Sequence, residues 1–168
     1  MKISRCTVMF IGIQIVGLAA LTVTQAGAQV LTADQLKKAV PSSFFFAGQS
    51  AAVQMRNAAG IKNAAGKLTL AGLVDTSGYS TAIAEKYQGF LITETKLTFE
   101  GTSLDPGAYG FGFKDGKFLV MNVAGTDILS IASQKDEELK HPVPLKVEKT
   151  DSGYRLYAGR NYVNVKPD

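Results

Sequence analysis

The sequence predicts a mainly β protein: an antiparallel β-barrel or β-sandwich of about nine or ten short strands with two short helices. From Phe44 onward, short apolar stretches alternate with Gly, Asn and Asp, which is typical of antiparallel sheets. Asp115-Gly116 is the strongest hairpin signal, because a two-residue type I′ turn requires positive φ at both central residues. We favour a closed barrel, since consecutive hairpins make an up-and-down order natural and closure removes exposed strand edges.

Residues 1–28 have the order of a secretory signal peptide. Lys2 and Arg5 precede an apolar stretch at residues 7–23, and Ala26-Gly27-Ala28 supplies the small residues that a signal peptidase needs. We therefore expect an exported protein, periplasmic or extracellular.

Cleavage after Ala28 would leave residues 29–168 as a single β domain with no membrane span. The alternative is an uncleaved membrane anchor, but Gln14 interrupts the apolar stretch, whose length is at the lower end of what spans a bilayer. Cys6 is the only cysteine of the chain, so the mature protein has to fold without disulfides.

The charge balance argues against nucleic acid as a partner. The chain has a formal net charge of +4, and Lys2 and Arg5 within the predicted signal peptide contribute two of these units. The remaining basic residues form no long run, whereas a nucleic-acid surface needs a clustered cationic footprint.

A short amphipathic helix is the first predicted element of the mature chain. Thr32 and Gln35 are spaced as a capping box, and the helix is expected to stop before Pro41. The β region starts at Phe44, and its first alternating segment lies at residues 51–55.

A near repeat precedes the next strand. The sequence NAAGIK at residues 57–62 is followed by NAAGK at residues 63–67. Two copies are too few for a solenoid. We therefore expect a loop or a bulged hairpin before a strand at residues 68–73.

Residues 75–88 break the β pattern. Ser80 is placed to cap a second helix that runs to about Gln88, and Gly89 lies where a glycine ends a helix in the left-handed conformation. The sequence from Phe90 onward predicts an antiparallel meander with a charged loop at residues 134–141. Its strands are expected at residues 90–94, 96–100, 108–114, 117–123, 127–132, 145–149, 154–158 and 162–165.

No catalytic, metal or cofactor constellation is evident. Residues 78–82 approximate the G-x-S-x-G nucleophile elbow around Ser80, but an elbow needs a preceding strand and a histidine base. His141 is the only histidine and has no other metal ligands spaced near it. Residues 136–138 supply three carboxylates, which we interpret as a solvated loop, with a weak calcium site as the alternative.

The strand at residues 108–114 carries an aromatic stripe. Period-two geometry places Tyr109, Phe111 and Phe113 on one face, and Gly110 and Gly112 on the other. The stripe is expected either as ordinary core, with glycines where another group passes closely, or as the wall of a ligand pocket.

Arg155 and Tyr157 share a strand face opposite Tyr154. The planar Arg155 guanidinium beside the Tyr157 ring could recognise a carboxylate or a sugar. Such pairs also occur as ordinary cross-strand neighbours on a sheet surface.

The sequences LDPGAYGF at residues 104–111 and GYRLY at residues 153–157 together resemble a group of short secreted bacterial proteins of about this length. The first segment is also similar to a turn-strand element of exported β-sandwich modules. The group has no established activity, so the resemblance implies export and a β fold but carries over no functional residue.

Three functions remain open at this stage. The first is a non-catalytic exported domain that binds a small apolar or amphipathic molecule in a barrel or cleft walled by Tyr109, Phe111 and Phe113. The second is an envelope-associated structural module whose face around Arg155 and Tyr157 meets a protein or polysaccharide. The third is an enzyme, which would need carboxylates to converge in a pocket; Glu94 and Glu100 are the candidates.

Overall fold

The computed structural model describes residues 27–168. The predicted signal peptide lies, apart from Gly27 and Ala28, outside the described residues. The helices are α1 (Ala33–Ala39) and α2 (Thr81–Ala84). The described residues form fourteen strands: β1 (Gln29–Val30), β2 (Ser43–Phe46), β3 (Gln49–Lys62), β4 (Leu68–Val74), β5 (Gly89–Thr93), β6 (Leu97–Phe99), β7 (Thr102–Leu104), β8 (Gly107–Lys114), β9 (Lys117–Met121), β10 (Asp127–Ala132), β11 (Gln134–Lys135), β12 (Val143–Thr150), β13 (Gly153–Gly159) and β14 (Asn161–Pro167).

The strands pair in two antiparallel sheets. The first sheet has the order β1-β3-β4-β5-β8-β9-β10, with β2 paired to β3. The second sheet has the order β12-β13-β14-β6-β7, with β11 paired to β14. This arrangement fits a β-sandwich, and in the described part of the chain neither strand order closes on itself.

The mainly β, antiparallel class with two helices is confirmed, whereas the expectation of a closed barrel is wrong. Strand β5 pairs directly with β8, while the intervening hairpin β6–β7 joins the second sheet beside β14. Consecutive hairpins therefore do not produce an up-and-down order. The strand number also exceeds the prediction, partly because β1, β7 and β11 have only two or three residues and show no readable alternation.

A first hydrophobic core fills the space between the two sheets. Phe118 of β9 lies at its centre, with ring centroids 5.3 Å from Phe99, 5.8 Å from Phe111 and 5.0 Å from Phe113. These rings come from both sheets, so their burial holds the sandwich together.

A second core covers the opposite face of the first sheet. Helix α1, strand β2 and the segment around α2 fold over this face, and Phe46 stacks on Tyr87 with ring centroids 3.9 Å apart. Gly110 and Gly112 let the covering layer approach closely: a Cβ at Gly110 would overlap the Phe46 ring, and one at Gly112 would overlap the Lys86 carbonyl. The predicted close passage over these glycines is confirmed.

Two local predictions are confirmed in detail. Thr32 and Gln35 form the capping box at the start of α1, since the Gln35 backbone donates to Thr32 Oγ1 and the Thr32 backbone donates to Gln35 Oε1. Asp115 and Gly116 have φ of 51° and 71°, as a type I′ turn requires. Neither helix within residues 27–168 is long and apolar enough to cross a membrane.

The predicted second helix is too long. Helix α2 ends at Ala84, because the Gln88 backbone already donates to Phe111 of the neighbouring strand. Gly89 does not end a helix; it begins β5, where a Cβ would overlap the Gly72 carbonyl and the Phe111 ring. Glycine is thus required there for close packing of strands and not for positive φ.

The near repeat forms a bulged hairpin, one of the two expected forms. Its first copy pairs within β3, whose register with β4 shifts between Val53 and Ala58. The second copy makes the turn, in which Asn63 Oδ1 accepts from the Lys67 backbone and Gly66 has a φ of 83°. The two similar sequences therefore adopt different structures, because only the first copy has a partner strand along its length.

Candidate functional site

The predicted aromatic stripe lies mainly in the core between the sheets. Phe111 is fully buried, Phe113 is 8% exposed, and Tyr109 is partly buried against the same cluster. Tyr109 donates its hydroxyl to the Asp105 carbonyl at 2.9 Å. A cavity between the sheets, bordered by Leu91 and Phe99, has a volume of about 10 Å³, which is room for one water at most. The three aromatics therefore do not line a ligand chamber together.

Phe113 instead borders an open cleft at one end of the sandwich. The cleft has a volume of about 410 Å³ and lies where β4, β8, β12, β13 and β14 end or begin. Its apolar wall includes Leu73, Phe113 and Ala158, and its polar groups include Gln54, Thr76 and Asn161.

The segment after α2 shapes this cleft. The Gln88 side chain accepts from the Phe113 backbone N–H at 3.1 Å and donates to the Phe113 carbonyl at 3.0 Å. Tyr87 is fully buried, and its hydroxyl has no hydrogen-bond partner in the described part of the chain. Burial raises the pKa of Tyr87 well above the ordinary value. Gln88 showed no functional signal in the sequence, because its role depends on β5 pairing with β8.

Arg155 and Tyr157 share the outer face of the second sheet, as predicted from strand alternation. Tyr157 is only 1% exposed, and its hydroxyl donates to Asp136 Oδ2 at 3.1 Å and accepts from Arg155 Nη1 at 3.4 Å. The Arg155 guanidinium carbon lies 4.6 Å from the ring centroid of Tyr162. The Tyr157 ring is therefore unavailable for stacking on a ligand, whereas Arg155 is one of the residues that line an open depression.

This depression, which we call the outer groove, has a volume of about 390 Å³ and is lined by Arg155, Asn164, Lys166, Thr98 and Glu100, among others. Glu100 has a φ of 45° in the β6–β7 turn. Its Oε1 accepts from the Asn164 side chain at 2.7 Å, so it anchors this turn to β14.

The candidate catalytic residues do not come together as a constellation. Ser80 precedes α2 and is exposed, its hydroxyl makes no capping hydrogen bond, and none of the described hydrogen bonds joins it to the exposed His141. Ser80 is thus the N-cap residue of α2, as expected, but its side chain does not form the hydrogen bond of a cap. Glu94 accepts from the Leu68 backbone, at the opposite end of β6 from Glu100.

The acidic run at residues 136–138 is engaged within the protein. Asp136 Oδ1 accepts from the backbones of Glu138 and Leu139, and Glu137 pairs with Lys135 at 2.8 Å. Within residues 27–168, no group of three or more acidic, His or Cys side chains is positioned to hold a metal ion.

Comparisons of the chain with protein-family models, with curated proteins and with solved structures gave no match. Functional assignment therefore depends on the shape and chemistry of the cleft and the outer groove.

Proposed function

We propose that the protein is an exported, non-catalytic β domain that binds a small amphipathic molecule in the cleft beside Phe113. The cleft carries this proposal: its volume of about 410 Å³ falls within the range of about 300–1,000 Å³ that is usual for small-molecule sites.

The lining of the cleft favours a neutral ligand. Leu73, Phe113 and Ala158 offer an apolar wall, while Gln54 and Asn161 offer hydrogen-bonding groups at its polar side. None of the described lining residues carries a formal charge, so an ionic ligand would lose hydration without gaining an ion pair. A ring or short chain bearing a hydroxyl, ester or amide group fits this chemistry.

Native mass spectrometry of the purified mature protein, before and after solvent extraction, tests for a co-purified ligand. Binding of the neutral probe N-phenyl-1-naphthylamine is then measured by fluorescence. Ala158→Trp fills the cleft and should weaken probe binding by about tenfold or more. Ala124→Trp, at an exposed turn, is the matched control and should bind like the parent protein. Equal binding by both variants, or no binding to the parent protein, would overturn the proposal.

Export is supported by the sequence of residues 1–28. Strand β1 begins at Gln29, so cleavage after Ala28 would leave every described strand whole. Expression in a bacterial host followed by mass spectrometry of the intact protein should give a chain that begins at Gln29. Ala26→Leu and Ala28→Leu should each block this processing. A full-length chain in the membrane fraction would instead support the anchor alternative.

The alternative function is an envelope-associated interaction module that uses the face around Arg155. It is favoured by the outer groove, whose lining is mainly polar. The lining of the cleft, by contrast, is about equally polar and apolar. Pull-down from the native envelope discriminates between them: a co-purified protein favours the interaction module, and a co-purified small molecule favours the cleft.

A further inference from the structure

The outer groove is lined by Arg155, whose guanidinium has few hydrogen-bond partners among residues 27–168. Among the described residues, the buried Arg155 Nε has no hydrogen-bond partner, and Nη1 donates only to the Tyr157 hydroxyl, at 3.4 Å. None of the ion pairs among the described residues includes Arg155. Because arginine has five N–H donors, most of its donors remain unused.

The protein holds this guanidinium in place. It lies over the Tyr162 ring, and the Tyr157 oxygen that accepts from it is fixed by donating its own proton to Asp136. Arg155 also lies on β13, which has a partner strand on both sides: Arg155 pairs with Glu148 of β12 and with Asn164 of β14. A cation fixed in this way loses little conformational freedom on binding an anion.

Three carboxylates around Arg155 are engaged with other groups. Asp136 accepts from the Tyr157 hydroxyl and from the backbones of Glu138 and Leu139. Glu148 faces Arg155 across the strand pair, but its carboxylate contacts Lys146 Nζ at 2.6 Å. Glu100 uses its Oε1 to accept from Asn164 and Gln134. None of these three acids therefore forms an ion pair with Arg155.

The charges that line the outer groove suit a singly charged anion. Arg155 and Lys166 contribute two positive charges, and Glu100 contributes one negative charge. Lys166 pairs across the strands with Thr98, which adds a hydroxyl to the same lining. A doubly charged phosphate would meet Glu100 with stronger repulsion, whereas a carboxylate matches the planar guanidinium fork.

We propose that the outer groove binds the carboxylate group of a small acidic molecule, with Arg155 as the main contact and Lys166 and Thr98 as supporting contacts. This site is separate from the cleft beside Phe113 and does not depend on the cleft having a ligand. A sugar acid and a simple organic acid both present the required group, and the probes below separate them.

Titration of the ¹⁵N-labelled mature protein with D-glucuronate, acetate, D-glucose and inorganic phosphate tests the proposal. Backbone resonances around Arg155, Asn164 and Lys166 should shift with D-glucuronate and not with D-glucose. Shifts of equal affinity with acetate would assign a simple organic acid as the ligand class, and tighter binding of D-glucuronate would assign a sugar acid. Phosphate should bind more weakly than either carboxylate.

Variants connect binding to the guanidinium. Arg155→Gln should weaken D-glucuronate binding by about tenfold or more, and Arg155→Lys should recover only part of it, because the fork is lost while the charge is kept. Arg56→Gln removes an exposed arginine of β3 and is the matched control. Ala158→Trp in the cleft should leave D-glucuronate binding unchanged, so the two proposals can fail separately. No shift with any carboxylate, or unchanged binding by a folded Arg155→Gln protein, overturns the site.

Discussion

The side-chain amide of Gln88 forms two hydrogen bonds with the backbone of Phe113, at 3.1 Å and 3.0 Å. The backbone pairing of β5 with β8 stops at Gly89 and Phe111. The Gln88 side chain thus satisfies backbone groups that β5 can no longer reach. It also fixes the residue that forms the apolar wall of the cleft.

Gln88→Leu should lower the free energy of unfolding by about 1–3 kcal/mol, because the partly buried N–H and C=O of Phe113 lose their partners. Urea unfolding measures this change. Gln54→Leu removes a bond to the Val74 carbonyl and a bond from the Asn57 side chain, and it should cost less because Gln54 is exposed. A Gln88 variant as stable as the parent protein would contradict this role of the two Gln88 hydrogen bonds.

Gly110→Ala should destabilise the protein by about 1–3 kcal/mol through overpacking. The added methyl group would overlap the Phe46 ring, which is fully buried and stacked on Tyr87. Gly78→Ala is the control, since the nearest atom to its Cβ would be Gln49 Oε1 at 3.5 Å. In a Phe46→Leu background the cost of Gly110→Ala should shrink, as a double-mutant cycle would show. Additive costs would mean that the two residues do not interact.

Removal of two buried tyrosine hydroxyls should change the free energy of unfolding differently. Tyr157→Phe should lose about 1–3 kcal/mol, because it breaks the bond to Asp136 and leaves Arg155 without its acceptor. Tyr154→Phe should be neutral or stabilising, because the buried Tyr154 hydroxyl has no hydrogen-bond partner within residues 27–168. Chemical unfolding of both variants tests this contrast, and equal losses would refute it.

The free energy of unfolding should fall as the pH rises above about 10. Burial raises the pKa of Tyr87 and of Tyr154 above the ordinary value of 10.0. The folded protein therefore retains protons that the unfolded chain releases, so their contribution is fully present below about pH 10 and is lost as the pH rises toward the raised values.

Urea unfolding between about pH 8 and pH 11 tests this dependence. Pairing with Glu85 also raises the pKa of Lys114, so the tyrosine contribution has to be isolated by substitution. Tyr87→Phe should flatten the alkaline decline, and the same slope as in the parent protein would contradict the assignment.

Much of the local structure could be predicted from the sequence. The capping box at Thr32 and the turn at Asp115-Gly116 depend on residues that are close in the chain, so steric and hydrogen-bonding rules suffice. The path from β5 to β8 could not be predicted, because residues 94–106 contain ordinary hairpin signals that do not specify which sheet they join.

The candidate sites were predictable only in part. Alternation correctly placed Arg155 and Tyr157 on one strand face, but the burial of Tyr157 depends on Asp136 and Tyr162 from other segments. Glu100-Gly101 could have been recognised as a two-residue turn. Its link to Asn164 required the pairing of β6 with β14.

The sequence by itself determined the antiparallel β class, the capping box at Thr32, the turn at Asp115-Gly116 and which side chains share a strand face, because these depend on local hydrogen bonding, backbone sterics and a period of two. Only the tertiary structure decided that Phe111 is core, that Phe113 borders a cleft and that Arg155 forms no ion pair with any carboxylate of the described residues. These outcomes arise from packing between strands distant in the chain, where burial and competition for partners act on groups that no local pattern brings together.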